Sequence, residues 1–231
     1  MIPARYEDST GQRLTGRHRK SFRFINGIEG IRVLDVGCSY GWFEKWALDN
    51  GCNRVIAIEP DAGTLREARA QAPGAAYLRA SSLKLPLRSA SVEKAVLWEV
   101  LEHLPRGSEI DALREINRVL KKGGCLYLST PHKTFWACAL DPAWWLVSHR
   151  HYSLDELREA ARRAGFEVAG VDFGGGAWEL FSMILLYVFK WCFRRDVPFK
   201  DILESRRDRE FASPGGWTNV FLKMRKIACA E

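Results

Sequence analysis

Closely spaced cysteines are missing from this sequence. Its six cysteines are scattered over 231 residues, with no Cys-x-x-Cys pair and no zinc-site spacing. Structural zinc sites and disulfide-rich scaffolds both place cysteines at short, regular intervals. We therefore expect reduced thiols in a cytoplasmic protein, with Cys38 and Cys125 in buried strands or at strand ends.

Long hydrophobic runs are missing as well. Met1 to Gly16 is polar and of mixed charge, without the apolar core of a signal peptide. The most apolar stretch, Ala177 to Phe193, has two charged residues in seventeen, whereas a membrane-spanning helix needs about 20 apolar residues. This stretch is therefore short for a membrane span, and other roles have to be weighed for it.

What the chain does have is an ordinary globular composition and an excess of positive charge. Apolar residues make up 47% and charged residues 27%, and the length allows one large α/β domain with a modest appendage. The net charge is +7. This balance suits nucleic acid, an anionic membrane surface or a phosphorylated substrate, or else it marks solvated helix faces without a partner. The basic residues crowd the two ends of the chain, at Arg13, Arg17, Arg19, Lys20 and Arg23 and at Arg194, Arg195, Arg206, Arg207 and Arg209.

Apolar runs alternate with helical patterns along the chain. Predicted helices lie near 42–49, 62–71 and 108–120, and a capping box of Ser153 and Glu156 opens another helix. Nearly continuous apolar strands are typical of a parallel sheet covered on both faces. We therefore expect an α/β fold with a doubly wound sheet, in which ligands bind beyond the carboxyl ends of the strands. The seven predicted strands are 31–36, 54–58, 75–80, 94–98, 124–130, 166–173 and 218–225.

The most informative stretch, residues 33–43, reads Val-Leu-Asp-Val-Gly-Cys-Ser-Tyr-Gly-Trp-Phe. It predicts a strand, a glycine-bearing turn and a helix whose N-terminus comes close to a bound ligand. Gly37 and Gly41 let the backbone turn sharply and approach that ligand. Ser39 stands where a dinucleotide-binding Gly-x-Gly-x-x-Gly loop has its second glycine. The spacing therefore disfavours a nicotinamide cofactor and leaves another nucleotide-like one.

An acidic residue ends the second predicted strand. Glu59 follows the glycine turn by about 20 residues, where an acid is placed to accept hydrogen bonds from both hydroxyls of an adenosine ribose. The structural alternative is that Glu59 caps the helix that follows.

Three further motifs follow in order. They are Leu85-Pro86-Leu87 before the fourth strand, Glu102-His103-Leu104 after it, and Arg118-Val-Leu-Lys-Lys-Gly-Gly124 before the fifth. With the glycine turn and Glu59, they resemble class I S-adenosylmethionine-dependent methyltransferases over residues 31 to about 170. The likeness is greatest to the branch of ubiquinone- and menaquinone-biosynthesis methyltransferases, with a methyltransferase type 11 domain. It implies a Rossmann-like fold with the last strand antiparallel, S-adenosylmethionine as cofactor, and methyl transfer as activity.

The resemblance also implies which residues bind the cofactor. The glycine turn holds its amino-acid end, Glu59 its ribose, and the residues after the third strand its adenine, while Trp98 lines the methyl channel. Ser81 departs from the family, which has an acid there, and Ser39 for glycine and Lys122 for proline are milder departures. The implied cofactor residues are Asp35, Gly37, Cys38, Ser39, Gly41, Glu59, Pro60, Ser81, Ser82, Leu83 and Trp98.

An acceptor hydroxyl must lose a proton during methyl transfer, and histidine is the natural base near neutral pH. The candidate catalytic residues are His132, at the end of the fifth strand, and His149 and His151 before the next helix. For His103, within the Glu-His-Leu motif, a structural role is favoured. The His149-x-His151 pair also suits a metal, but no acidic partner lies near it in the sequence, so we expect no metal site.

Aromatic residues gather where this family closes its acceptor pocket. They predict a small apolar or lipid-linked acceptor, methylated on oxygen or carbon, and RNA or another nucleic acid is the alternative. A Trp-Glu-Val-Leu segment after strand four argues against the nucleic-acid alternative, so no specific nucleic-acid binding is expected. These residues are Phe135, Trp136, Trp144, Trp145, Trp178, Phe181, Tyr187, Phe189, Trp191 and Phe193.

The chain is predicted to have an N-terminal basic arm or lid helix, 1–30, followed by a methyltransferase domain, 31–231. That domain includes an apolar and basic helical insertion, 177–216. Cations follow the apolar stretch directly, so 177–195 is a candidate for peripheral contact with an anionic membrane. Packing on the sheet or on a second subunit is the alternative, and the oligomeric state is left open.

Overall fold

The computed structural model describes residues 14–141, 149–195 and 197–227. Within these ranges seven strands form one sheet in the order β3-β2-β1-β4-β5-β7-β6. Neighbours from β3 to β5 are parallel, and β7 runs antiparallel to both β5 and β6. The predicted fold class is therefore confirmed, including the antiparallel last strand. The strands are β1 Arg32–Val36, β2 Arg54–Glu59, β3 Ala76–Arg79, β4 Val92–Trp98, β5 Leu120–Pro131, β6 Phe166–Gly174 and β7 Asn219–Lys226.

Helices cover both faces of the sheet. Local capping explains where several begin, since Asp61 accepts a hydrogen bond from the Thr64 N–H at 2.7 Å and Ser153 and Glu156 form the predicted capping box. The helices are α1 Gly16–Phe24, α2 Trp42–Asp49, α3 Ala62–Gln71, α4 Glu109–Val119, α5 Phe135–Leu140, α6 Leu154–Arg163, α7 Ala177–Val188 and α8 Lys200–Ala212. One wider π-helical turn, Phe189–Phe193, continues α7.

One predicted boundary is wrong. The glycine pair Gly123-Gly124 lies inside β5, which begins at Leu120, and does not precede the strand. A Cβ on Gly124 would lie 2.8 Å from the Glu93 carbonyl oxygen of the neighbouring strand, so only glycine fits this close approach. The register between β4 and β5 shifts at the same place, as expected for a bulge.

Alternating side chains divide the core into two layers. Leu34, Leu97 and Leu128 point to the face covered by α4 and α6, and their sequence neighbours Val33 and Val96 point to the opposite face. The second layer is largely aromatic, built by residues of α1 and α2 that include Phe22, Phe43 and Trp46. The rings of Phe22 and Trp46 stack at 5.2 Å. Burial of these rings anchors α1 to the domain.

The insertion between β6 and β7 also holds α1. The Gly16 N–H donates to Asp208 of α8 at 2.5 Å, and Arg19 pairs with the same carboxylate. Glu210 of α8 in turn accepts hydrogen bonds from the first N–H groups of α7, at Trp178 and Glu179. The three helices α1, α7 and α8 therefore form one connected unit on the carboxyl side of the sheet. In the part of the chain that the structure describes, every helix is too short or too polar to cross a membrane.

Gly41 gives a test of how the glycine turn after β1 packs against α3. Its φ is +81°, and an added Cβ would lie 2.8 Å from the Ala68 carbonyl oxygen of α3. Gly107 has a similar φ of +85° but open space around it. A left-handed alanine costs about 1–2 kcal/mol by itself, so Gly107→Ala should lower the free energy of unfolding by about that much and Gly41→Ala by clearly more. Urea denaturation measures both, and equal losses would contradict the packing argument.

Candidate functional site

The carboxyl ends of the strands surround two adjoining cavities, of about 500 Å³ and about 340 Å³. Residues from β1, β2 and β4 form the walls, and Arg17 and His18 of α1 line both cavities. Gly41 and Leu83 are not among the lining residues of either. The other nine predicted cofactor residues line one or both cavities: Asp35, Gly37, Cys38, Ser39, Glu59, Pro60, Ser81, Ser82 and Trp98.

The glycine turn is held closed by the second strand. The N–H groups of Gly37 and Cys38 both donate to the Ile58 carbonyl oxygen, at 2.7 and 3.1 Å. These two N–H groups are thus already hydrogen-bonded within the protein, and the turn shapes the cavity wall through its backbone course. Gly37 has a φ of +84°, and a Cβ there would lie 2.4 Å from a methyl carbon of Val100. Only glycine keeps this part of the cavity open.

Glu59 is held at the cavity wall by two backbone groups. Its Oε2 accepts from the Ser39 N–H at 3.3 Å, and its Oε1 accepts from the Asp61 N–H at 3.2 Å. Each carboxylate oxygen can accept a further hydrogen bond, so the group remains able to take two ribose hydroxyls. Helix α3 is capped by Asp61, which makes the capping alternative for Glu59 unnecessary.

Two buried carboxyl groups lie beside the turn. Asp35 is 2% exposed and Glu44 is fully buried. Burial raises the pKa of Asp35 to about 7, and burial with the adjacent Asp35 charge raises the pKa of Glu44 well above its usual value. Asp35 Oδ1 has no hydrogen-bond partner among the residues described. A buried acid without a donor fits the ammonium group at the amino-acid end of S-adenosylmethionine.

The serines after β3 complete the adenine side. Ser82 is buried and Ser81 is exposed, and both line the larger cavity. The Ser81 hydroxyl accepts from the Leu83 N–H at 3.2 Å. A hydroxyl at this position can also donate to or accept from a base edge. The glycine turn, Glu59 and these serines therefore line the same two adjoining cavities with groups that could hold the amino-acid, ribose and adenine parts of S-adenosylmethionine.

Glu99, which was not predicted from the sequence, connects the end of β4 to three other elements. It follows Trp98 at the end of β4, with a left-handed φ of +53°. Its carboxylate accepts from Arg17 of α1 at 2.9 Å, from the Ser129 hydroxyl at 2.6 Å and from the Asn219 amide at 3.1 Å. Its place directly after a predicted strand was the signal that could have identified it. This carboxylate fastens α1 over the cavity mouth.

The histidines separate into two locations. His149 Nδ1 lies 3.4 Å and His151 Nε2 2.8 Å from the same oxygen of Asp141, so the expectation of no acidic partner is wrong. A second acid, Glu102, has an oxygen 3.9 Å from His149 Nε2. Chain folding supplies these acids, since Asp141 precedes the pair by eight residues and Glu102 comes from another strand end. Side-chain atoms of these types, within 4.8 Å of one another, are also the kinds that bind metal ions.

His103 connects this cluster to the cavity. It lines the larger cavity, and its ring centroid lies 5.1 Å from that of His149. His132, by contrast, lies against Phe173 with ring centroids 5.0 Å apart and lines neither cavity. Burial lowers the pKa of His132. The structure thus brings His149 and His151 together and leaves His132 apart.

The predicted acceptor-pocket aromatics are not part of these cavities. Phe135 is 76% and Trp136 60% exposed, and the other described members of the set also lie outside the two cavity walls. Trp144 and Trp145 fall outside the described residues. The exposed aromatics therefore need an explanation separate from the cofactor cavity.

Comparison with known proteins establishes the family. Residues 12–171 match the family model described as a methyltransferase domain, and the chain belongs to that family. A Mycolicibacterium smegmatis protein named a probable S-adenosylmethionine-dependent methyltransferase is 32% identical over 161 residues, which are 68% of this chain and 62% of that protein. The malonyl-[acyl-carrier protein] O-methyltransferase of Enterobacter lignolyticus is 37% identical over 99 residues, 43% of this chain and 38% of that protein.

A solved structure matches the fold over nearly the whole chain. The S-adenosylmethionine-dependent methyltransferase from Mesorhizobium loti superposes with a TM-score of 0.65 at 20% identity, covering 91% of this chain and 98% of that one. The chain spans less than two thirds of the length of these two curated relatives. Family and fold together identify a class I S-adenosylmethionine-dependent methyltransferase domain, with S-adenosylmethionine as its cofactor.

Removing the Glu59 carboxylate tests the ribose assignment. Glu59→Ala should weaken binding of S-adenosylhomocysteine by about 1–3 kcal/mol, because the ribose hydroxyls lose their charged acceptor. Isothermal calorimetry measures the affinity. Glu159→Ala, on the exposed face of α6, is the matched control and should bind as the unaltered protein does. Equal affinity of the Glu59 variant would refute the assignment.

Asp35 gives a pH-dependent prediction for the cofactor-free protein. Its pKa is about 7 when folded against an ordinary 3.8, so the folded state favours the protonated form. This group's contribution to stability is complete below pH about 4 and is lost as the pH rises through about 7. Asp35→Asn, which stays neutral, should therefore gain stability relative to the unaltered protein between pH about 5 and about 8. Urea denaturation measures this difference in the free energy of unfolding at each pH. As a control, Asp155→Asn, at a residue 93% exposed, should show no such gain. A difference for Asp35→Asn that does not change with pH would contradict the prediction.

Proposed function

We propose that this protein transfers the methyl group of S-adenosylmethionine to an oxygen or carbon atom of a small apolar or lipid-linked acceptor. The observation that carries the proposal is one cavity lined both by Glu59 and the glycine turn and by Trp98, Glu99 and His103. The first group of residues suits the cofactor, and the second offers polar side chains beside an indole ring to an acceptor. Placement in the ubiquinone- and menaquinone-biosynthesis branch is part of the same proposal.

The sequence relatives support an oxygen acceptor. One of them is named an O-methyltransferase of malonyl-[acyl-carrier protein], an acyl group held on a carrier. When bound, S-adenosylmethionine supplies a methyl group already activated on a sulfonium sulfur. The protein then has to align the acceptor, exclude water and remove a proton where the acceptor is a hydroxyl. Positioning of this kind can supply about 7–11 kcal/mol of the barrier.

His149 is the residue we propose as general base. With its Nδ1–H donating to Asp141, its Nε2 is the unprotonated ring atom and can accept the acceptor proton. Glu102 Oε1 lies 3.9 Å from that Nε2, and burial together with the nearby Glu99 charge raises the pKa of the Glu102 carboxyl well above its usual value. His103 lies between His149 and the cavity wall, which gives the proton a short route. His151 is buried against the same Asp141 and acts by holding that carboxylate in place.

A labelled-methyl assay on fractionated cell extract tests the proposed function. The protein is incubated with S-adenosylmethionine labelled in its methyl group, and the label is followed into lipid, RNA, protein and small-molecule fractions. We expect label in the lipid or apolar small-molecule fraction. Label in RNA alone would overturn the acceptor class, and no label in any fraction with intact cofactor binding would overturn methyl transfer.

The base assignment predicts a kinetic difference between His149 and His132. With the acceptor found, His149→Gln should lower kcat by about 10²–10⁴-fold at neutral pH, and Asp141→Asn should lower it less. His149 itself lines neither cavity and reaches the larger one through His103. His132→Gln should leave kcat within about tenfold, because the His132 ring lies against Phe173 and not beside His103. A larger effect at His132 than at His149 would exclude the assignment.

A further inference from the structure

A second groove lies away from the cofactor, between α7 and α8. It has a volume of about 760 Å³. Five cationic side chains line it, and among its described lining residues Glu204 is the one acid. Its floor is apolar, formed by Leu186, Val197 and Leu203. The cations are Lys190, Arg194, Arg195, Lys200 and Arg207.

The helical spacing explains this arrangement. Leu186 and Lys190 are four residues apart and so lie on the same side of α7 and its π-helical turn. Lys200, Leu203 and Arg207 are spaced three and four residues apart and so share one side of α8. Arg194 and Arg195 follow the π-helical turn that ends α7. The groove therefore has an apolar floor with cations on both walls and at the end nearest the α7–α8 connection.

Several of these cations are not neutralised by the residues that the structure describes. Arg207 pairs with Glu179 at 2.5 Å and Lys200 lies 3.9 Å from Glu204. Lys190, Arg194 and Arg195 have no ion pair with any residue in the described ranges. Like charges placed this close repel one another unless an anion lies between them. The groove is thus complementary to a phosphate group.

Large apolar side chains surround the same end of the hairpin. Trp191 and Phe193 are each 58% exposed, Phe199 is 77% exposed and Ile202 58% exposed. Exposed apolar patches of this kind mark interaction surfaces. Tryptophan and phenylalanine beside arginine and lysine are the composition of proteins that lie in the membrane interface, where rings enter the headgroup region and cations meet lipid phosphates.

We propose that the α7–α8 hairpin docks on an anionic membrane surface. A phospholipid phosphate occupies the basic groove, and Trp191, Phe193 and Phe199 enter the interface beside it. A free phosphate would explain the cations but leave the exposed rings unexplained. The inference goes beyond the proposed methyl transfer and holds whatever the acceptor is. It also places the anchored helix α1, which α8 holds over the cofactor cavity, close to the lipid surface.

Vesicle sedimentation tests the docking. The full chain is mixed with vesicles of phosphatidylcholine alone or of phosphatidylcholine with phosphatidylglycerol, and the bound fraction is measured against lipid concentration. Each basic residue near such a surface contributes about fivefold in affinity. We therefore expect binding only to the anionic vesicles, weakened at least about 25-fold by Arg194→Glu with Arg195→Glu. Arg158→Glu with Arg162→Glu, at exposed positions of α6, changes the net charge equally and should keep the binding.

A second pair of changes tests the aromatic contribution. Trp191→Ser with Phe193→Ser leaves the charge unaltered and should also reduce vesicle binding, whereas binding of inorganic phosphate, measured by calorimetry, should stay unchanged. All variants should keep their affinity for S-adenosylhomocysteine, which separates this test from that of the proposed function. No sedimentation of the unaltered protein would overturn the proposal. Equal losses in the two arginine pairs, or phosphate binding without vesicle binding, would overturn it too.

Discussion

Parallel pairing of β1 with both β2 and β4 is the constraint on which the rest of the site depends. Asp35 pairs with Ala57 on one side and Val96 on the other, so the chain leaves all three strands at one edge. Because the strand order reverses at β1, the connections diverge there and leave an opening. The glycine turn, Glu59 and Trp98 face that opening although about 60 residues of chain separate the first from the last. Without this register the same residues would form no site.

The elements outside the common sheet control access to that opening. Helix α1 contributes Arg17 and His18 to its lining and is fastened by the Arg17–Glu99 ion pair at 2.9 Å and by contacts of Gly16 and Arg19 with Asp208 of α8. Helix α8 also lines the basic groove. Helix α8 thus connects α1, beside the cofactor cavity, to the surface proposed to meet lipid.

The fold and the place of the glycine turn and Glu59 beside the cavity could be predicted because local patterns specify them. Apolar runs with glycine punctuation identified all seven strands, and the glycine turn and Glu59 both lie at strand ends. The histidine cluster depends on contacts between distant residues. Asp141 meets His149 and Glu102 approaches it only after folding, so sequence proximity wrongly suggested that the histidine pair had no acid. Glu99 was missed because its role depends on partners from α1, β5 and β7. The described aromatic residues predicted to close the acceptor pocket line neither cavity, since the helices that carry them, α5 and α7, pack on one another.

We conclude that the opening between β1 and β4 binds S-adenosylmethionine and not a dinucleotide. Calorimetric titration of the purified chain with S-adenosylhomocysteine and, separately, with NADH distinguishes the two cofactors. We expect saturable one-to-one binding of S-adenosylhomocysteine and no heat of binding with NADH. Binding of NADH, with none of S-adenosylhomocysteine, would contradict it.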